Sequence, residues 1–590
     1  MITMEEIIAR LKEILGDDYD FGTPGSPNAA ILQNILGAMN ELRVPQSENE
    51  ALLLLIYEKI SGMVVDDELS TTSTNPVQNK VITEEINKII EGLGAKRFGV
   101  AGIGQSASAL TRIYDAVGMV AEVGTDGDNS AVRNDFDTAA PFMTRKCVGT
   151  WTLTEDGRSH FNVAAYLGDD NYTEDGSIGD YVAVEYPRSY YRFENGQLII
   201  SAFPFAGYKP FDVFCVDHNP ENTIEHYYHP AYALAVKDGH AVSLPGLNNE
   251  QGTYYSLTTA ARTYNNDSVK GNGNLMFAAY NFYEWALFTV EFANQNCQSI
   301  MQGNVNLRSN DSDTVTFFDE DHVLTNNYQA ARVVGEYIAI TPNGTSHTSV
   351  SYKATHKITS IIRCDADGTE NPSGNYQLIG IEYVWGTIQY DTTGETTYAL
   401  AARPYATGSA NSVSTPSGSP VSNASGYYPC KYRHHENPFG NQYHSSADLF
   451  NQRMSDGGSY YLDWYYLPDC PEYTPSNSSK PDATDLASNK FKKLDIGTPN
   501  ANYVDGYIVS KQYSEEYPNI WIPEKTTQGS QSTFFCDYAY LVSSNSVRLA
   551  RFGGLWSAGP AAGFSTVYAF YAPSSGSATY GGDLCFSRQG

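Results

Sequence analysis

The chain has 590 residues and carries 37 Lys+Arg against 67 Asp+Glu, a formal net charge of −30. So acidic a chain repels nucleic-acid phosphate, which argues against a general DNA- or RNA-binding role. With 18% charged and 41% hydrophobic residues it is no disordered polyelectrolyte either.

The length corresponds to roughly three to five domains. The first 95 residues read as helical. Ile7, Ile8, Leu11, Ile14 and Leu15 share one helix face, Ile31, Leu32, Ile35, Leu36, Met39 and Leu42 a second, and Leu52 to Ile60 forms a third short apolar segment. Gly22 to Pro27 is a turn between the first two. Three small amphipathic helices bury little alone, so residues 1–65 are expected to pack on a partner or on copies of themselves. The opening MITMEEIIARLKEIL is charged throughout and lacks a small-residue cleavage site, unlike a signal peptide. No run of about 18 apolar residues spans a membrane. Ile82, Ile86, Ile89 and Leu93 then follow heptad spacing. From spacing alone this is either a coiled coil or one short surface helix.

From about Lys96 the helical period fades. Short strands rich in Tyr, Val, Thr and Phe alternate with Gly/Asn/Asp/Ser turns, as in Tyr181–Glu185 and Gln197–Ser201. Tyr283 to Phe292 is apolar nearly all round and predicts a buried helix. Thr407 to Ser425 and Thr474 to Lys490 are low-complexity stretches, predicted as long surface loops. The 44 tyrosines point to a Tyr-rich binding surface, because the ring packs while its hydroxyl hydrogen-bonds. The eight Cys are scattered, with the closest pair at 430 and 470, and no CxxC occurs. They read as inert core residues of a protein made in a reducing cytoplasm.

Catalytic motifs are absent: there is no Gly-Lys of a phosphate loop, no HExxH and no GxSxG. Two histidine groups, His226-Tyr-Tyr-His229 and His434-His435-Glu436 with His444, lack the three-ligand spacing of a catalytic zinc site and read as surface or packing histidines. Asp126-Gly-Asp128 and Asp365-Ala-Asp367-Gly368 read as solvated turns rather than calcium loops. No catalytic residue, metal or cofactor is expected.

The segment Arg551 to Phe586 carries the most information. Gly553, Gly554, Gly559, Gly563, Gly576, Gly581 and Gly582 punctuate it, and Tyr568, Phe570, Tyr571 and Tyr580 stand among small residues. No helical or alternating period survives. The pattern leaves two readings: an irregular segment that displays its rings, or a Gly-rich sandwich edge with its rings in the core.

Gly553, Gly554, Trp556, Gly559, Ala562 and Gly563 match a frame of two Gly, a variable residue, Trp, two variable residues, Gly and then Ala-Gly. The segment thereby resembles the variable region of proteins diversified by a retroelement, which end in a C-type lectin-like fold of the formylglycine-generating-enzyme subtype. Gly581-Gly582 and Leu584-Cys585-Phe586 also fit, whereas Asp583 stands where a basic residue is common. Asn75 to Ile82 resembles a phrase that precedes trimeric stalks in phage tail fibres. Ala107 to Met119, Val184 to Tyr191, His229 to Tyr232, Glu291 to Gly303 and Gly380 to Gly386 look like blocks of gut-phage tail proteins.

The resemblance implies an α+β protein. A helical attachment module at 1–65 and a trimerisation stalk at 66–95 would precede a β-rich middle domain at 96–185. A C-type lectin-like domain at 186–590 would follow, with surface insertions near 404–428 and 471–492 and a variable region at 551–586. The ligand-binding variable positions it implies are Leu555, Ser557, Ala558, Ala561, Tyr568, Phe570, Tyr571, Ser575, Ser577 and Thr579, with Pro560, Ser565 and Tyr580 less firmly aligned. The frame residues would stay fixed. The implied protein is a homotrimeric tail-fibre receptor binder of a phage or prophage, made in the host cytoplasm and carried on the virion. It would be joined to the tail or baseplate through its N-terminus and would bind a bacterial surface glycan or protein without catalysis, membrane insertion or nucleic acid. The competing classes are a structural tail or collar component and a polysaccharide-cleaving tailspike, the latter disfavoured by the lack of internal repeats.

Overall fold

The computed structural model describes residues 95–590 apart from 126–131, 308–312, 328–331, 343–352, 387–396, 421–422, 457–458, 500–503 and 542–543. The helices expected over 1–65, the heptad positions up to Leu93 and the Asp126-Gly-Asp128 turn lie outside the described residues. Within them the chain is mostly β, with only three α-helices: Tyr254–Ala261 (α1), Ala278–Phe292 (α2) and Ala483–Leu486 (α3). The expected α+β class is thereby corrected to a β-rich one over the described residues. The reason is compositional. Past Lys96 the aromatic and β-branched residues that dominate the apolar positions fit a pleated, half-buried surface, and Gly/Asn/Asp turns interrupt any longer helical run.

Two sheets open the described part. Thr111–Tyr114, Phe98–Ala101, Gln197–Ser201, Tyr190–Glu194 and Lys209–Pro210 form one; Ser159–Tyr166, Arg145–Leu153, Tyr181–Pro187 and His226–Pro230 form the other. Phe98 pairs with Ile200 and Ala101 with Gln197, and the strand Tyr181–Pro187 runs through the boundary drawn after residue 185. One core is continuous across that position.

Helix α2 lies at the centre of this core. The burial read from its sequence extends over the whole element: of its 15 residues only Asn281 is not buried. It has no local side-chain cap. Asp448, from the strand Tyr443–Asp456, instead accepts from the Ala278 N–H through both carboxylate oxygens, at 3.1 and 3.2 Å. The helix ends at Ala293 in the left-handed region.

Residues 313–402 contribute six antiparallel strands that close into a barrel, in the order Asp313–Phe317, His322–Thr325, Tyr376–Tyr383, His356–Cys364, Tyr337–Pro342 and Tyr398–Ala402. Val315, Val323, Ile338, Ile340, Ile358, Ile379 and Leu400 fill it. The stretch after it departs from the expected surface loop. Thr407, Ala410, Val413, Ser417, Ser419 and Asn423 are buried. Their polar groups find carbonyls both near and far in the chain: Thr407 Oγ1 donates to Leu244 O, Ser419 Oγ to Pro429 O and Asn423 Nδ2 to Gln302 O and Tyr428 O. Low apolar content therefore does not force this segment outward. The second stretch is mostly exposed as expected, held by the Asp482/Asp485 capping box of α3 and by buried Tyr473 and Leu486.

The last large sheet runs Lys492–Pro499, Ser459–Tyr466, Tyr443–Asp456, Arg548–Gly553, Gly563–Ala569, Tyr538–Leu541 and Gly506–Tyr507, with Tyr580–Gly581 added in parallel to Tyr443–His444. All eight cysteines are unpaired, and all but Cys215 are buried.

His218 links the first half of the described chain to the turn before Cys470. Its Nδ1 lies 2.8 Å from Asp212 Oδ2 and its Nε2 3.0 Å from Pro468 O. Burial works to lower its pKa, but Asp212 and the carbonyl overcome this and raise it from 6.5 to about 9. Because the folded value is the higher one, this contribution is complete below pH 6.5 and is lost as pH rises through about 9. Wild-type stability in urea titrations is expected to fall by on the order of 2 kcal/mol more than that of His218→Gln across this window, a figure discounted for the partly exposed ring. Equal slopes in the two proteins would contradict the assignment.

Candidate functional site

The Arg551–Phe586 segment supplies two strands of the last sheet, Arg548–Gly553 and Gly563–Ala569, and the short strand Tyr580–Gly581. Its frame faces inward. Gly553, Gly554, Trp556, Ala562 and Gly563 are buried, and Gly559 is half-buried. Two of the glycines are required by space and backbone. A Cβ on Gly563 would stand 1.9 Å from Asp537 Oδ1. Gly554 has φ +92°, and its Cβ would meet that of Ala562 at 2.6 Å. Trp556 packs with Leu307, Ala402, Tyr405 and Ala578, so it fastens the segment to the last strand of the barrel.

The positions implied as variable divide differently. Pro560 and Tyr571 are exposed, and Leu555, Ser557, Ala558, Tyr568, Phe570, Ser575 and Thr579 are half-buried. Ala561, Ser565, Ser577 and Tyr580 are buried. Each of these four has a structural reason. Ala561 closes the turn Gly559–Ala561, and its carbonyl accepts from Thr566 Oγ1 at 2.6 Å. Ser565 lies between Lys511 Nζ, which donates to its Oγ at 2.9 Å, and Asp537 Oδ2, which accepts from its N–H at 2.7 Å. Ser577 Oγ is bonded to Thr579 Oγ1 and accepts from the Thr579 N–H. Tyr580 pairs in register with Tyr443.

Main-chain bonds to residues outside the segment hold its path. Gly559 N–H donates to Val305 O, Gln298 Nε2 donates to the carbonyls of Gly559 and Ala562, and Tyr443 N–H donates to Thr579 O. The N–H groups of Tyr254 and Gly252 donate to Pro573 O and Tyr580 O. Backbone bonds of this kind are indifferent to the side chains of the segment.

A band of rings crosses the sheet here. Tyr507, Tyr538, Tyr540 and Tyr568 follow one another at centroid distances of 5.1, 4.5 and 5.1 Å. Tyr568 stacks on Tyr443 at 4.3 Å, and Phe570, Tyr571 and Tyr580 continue the cluster. Beneath it Arg551 is fully buried. Its guanidinium stands 3.9 Å from the Tyr580 ring centroid, and none of its three nitrogens has a hydrogen-bond partner. Burial lowers its pKa, opposed by the surrounding tyrosines. The partly exposed rings of Tyr507, Tyr538, Tyr540, Tyr568, Phe570 and Tyr571 offer flat contact area to a ligand, whereas the Arg551 guanidinium is sealed beneath Tyr580. Tyr507, Tyr538 and Tyr540 are functional candidates that the sequence reading does not single out, with buried Tyr443 and Arg551 beneath them; the alternation of Tyr538 and Tyr540 is the available signal.

The two histidine groups also meet. His229 and His435 come together with Asp583, while His226 and His434 do not join them. Asp365 and Asp367 form an exposed turn that bonds to Asn371 and Thr369. No protein-family model matches this chain, and no curated protein matches it.

Two outcomes test the site's construction. Gly563→Ala is expected to lower stability by more than about 3 kcal/mol, since Asp537 and the strand cannot both stay in place; thermal melting reads this. Arg551→Met is expected to leave stability unchanged or to raise it by about 1 kcal/mol, because it removes an unpaired buried charge and keeps the volume. A loss of similar size to that of Gly563→Ala would instead make the Arg551–Tyr580 contact structural.

Proposed function

We propose that this chain is a phage or prophage tail-fibre receptor-binding protein whose C-terminal surface is diversified by a retroelement. The observation that carries this reading is the division within 551–586. Five of the six residues of the Gly/Trp/Ala frame are buried, all but Gly559, whereas nine of the thirteen positions implied as variable reach solvent at least in part. A surface that must accept many side chains needs a path set by its backbone, and bonds from Val305, Gln298, Tyr443, Tyr254 and Gly252 supply one. Tyr and Phe rings then provide contact area at low entropy cost, as in antibody paratopes.

The ligand is a bacterial surface glycan or protein. Residues before Lys96 join the chain to the tail or baseplate and to two further copies. Three weak sites on one fibre gain avidity through effective concentration. Catalysis has no part in this reading.

Deep sequencing of the gene's 3′ end across a phage population tests it. Substitutions are expected to concentrate at codons 555, 557, 558, 561, 568, 570, 571, 575, 577 and 579, with 553, 554, 556, 559 and 563 constant. Uniform or absent variation would leave a fixed-specificity or structural tail component as the better reading.

A further inference from the structure

Three buried side chains from distant parts of the chain converge away from the aromatic band. His229 comes from the strand His226–Pro230 and His435 from the short strand His435–Glu436. Asp583 comes from the link between Tyr580–Gly581 and Cys585–Phe586. One ligand atom of each lies within 4.8 Å of the others. Both imidazole Nε2 atoms are 3.9 Å from Asp583 Oδ2, and the three side chains are at most 1% exposed. His229 Nε2, His435 Nε2 and Asp583 Oδ1 make no hydrogen bond. Buried polar atoms are nearly always satisfied, so three bare ones on the side chains of one cluster require an explanation.

Their outer partners fix what points inward. His435 Nδ1 lies 2.8 Å from a carboxylate oxygen of Glu284 on α2. In the neutral tautomer that keeps its proton on Nδ1, the Nε2 lone pair faces Asp583, the arrangement that orients metal-binding histidines. His444 holds Asp583 Oδ2 at 2.8 Å from the other side. The Tyr280 ring stacks on His229 at 3.5 Å and 9°, and fixes the plane of that imidazole. With both Nε2 atoms unprotonated, two lone pairs and a carboxylate would face one another, and a cation between them removes the repulsion.

We propose that His229, His435 and Asp583 bind one divalent transition-metal ion of zinc's chemistry. Two imidazole nitrogens and one carboxylate oxygen are donors that zinc accepts, whereas calcium and magnesium take oxygen ligands. Zinc ligands at about 2.0–2.1 Å in a tetrahedron stand about 3.4 Å apart, so each histidine nitrogen closes on Asp583 Oδ2 by about half an ångström around the ion. The site is sealed from solvent, which gives it a structural role. It ties the strand His226–Pro230 and the short strand His435–Glu436 to Asp583, and thereby fixes the chain just past Tyr580.

The test is metal analysis of the full chain, produced in zinc-supplemented medium and, separately, refolded with zinc. The expected result is about one zinc per chain, a melting temperature lowered by EDTA, and zinc content reduced about tenfold or more in Asp583→Asn and His435→Gln. Zinc-free protein by both routes with a melting temperature indifferent to EDTA would overturn the proposal. So would undiminished zinc in both folded variants. Should the variants fail to fold, zinc K-edge absorption of the wild-type protein decides: a shell of two imidazoles with oxygen supports the site, and a sulfur shell or one of oxygen alone overturns it.

Discussion

Helix α2 carries two carboxylates into a core where it has no exposed face, and the surrounding structure is arranged around that fact. Glu284 and Glu291 are seven residues apart, two turns, so they project from the same side of the helix. Opposite them stands one short hairpin, Lys431–Tyr432 and His435–Glu436, whose turn residues Arg433 and His434 have φ of 48° and 70°. That turn aims Arg433 at Glu291, with Nη2 to Oε1 at 2.6 Å and Nε to Oε2 at 2.9 Å, and sends His435 to Glu284. Arg433 Nη1 also reaches Asp137 at 2.6 Å and Phe142 O at 3.0 Å. Charged groups at such depth are tolerable only when every partner is in place. The helix, the hairpin and the turns around Asp137 and Phe142 must therefore order together, which couples the first sheets to the rest of the described chain.

The parts legible in the sequence are those whose signal is local. The apolar run ending at Phe292 marks α2 because every face of it is buried, and Tyr181–Glu185 and Gln197–Ser201 read as strands from their composition. The scattered cysteines read as inert core residues, and all but Cys215 are buried. What escapes depends on long-range pairing. The barrel of residues 313–402 is closed by Val315 facing Tyr398 and Ile338 facing Ala402, and no local period announces such closure. The stretch 407–425 has the look of a surface loop because it has little apolar area, yet its hydroxyls and amides find carbonyls inside the fold. The α+β expectation rests on the first 95 residues, whereas the aromatic and β-branched residues after them make a β protein.

The binding surface is legible in its frame and less so in its display. Gly563 and Trp556 take inward places that their chemistry explains: one because Asp537 leaves no room for a Cβ, the other because Tyr405 and Ala402 receive its ring. Tyr580 has the look of a displayed ring in the sequence, but its pairing with Tyr443 makes it a roof over Arg551 instead. Tyr443, Tyr538 and Tyr540 belong to the same band although they lie outside the segment. A linear motif cannot list residues that neighbouring strands contribute.

The segment is held from both ends by groups that do not belong to its proposed variable set. Upstream, Gly553 and Gly554 turn the chain and Trp556 seats it against the barrel. Downstream, Gly581 lies where a Cβ would meet Gln442 Oε1 at 2.6 Å, and Asp583 enters the buried cluster with His229, His435 and His444. Between these two anchors Phe564 and Tyr580 are buried in the packing, whereas Tyr568, Phe570 and Tyr571 reach solvent, so replacing those three should alter recognition more than folding. The same histidine cluster contains Glu284, and Glu284 shares α2 with Glu291. The anchor behind the binding surface and the charge pairing at the centre of the core are thus two ends of one buried polar system, with the hairpin of Arg433 and His435 as the element common to both.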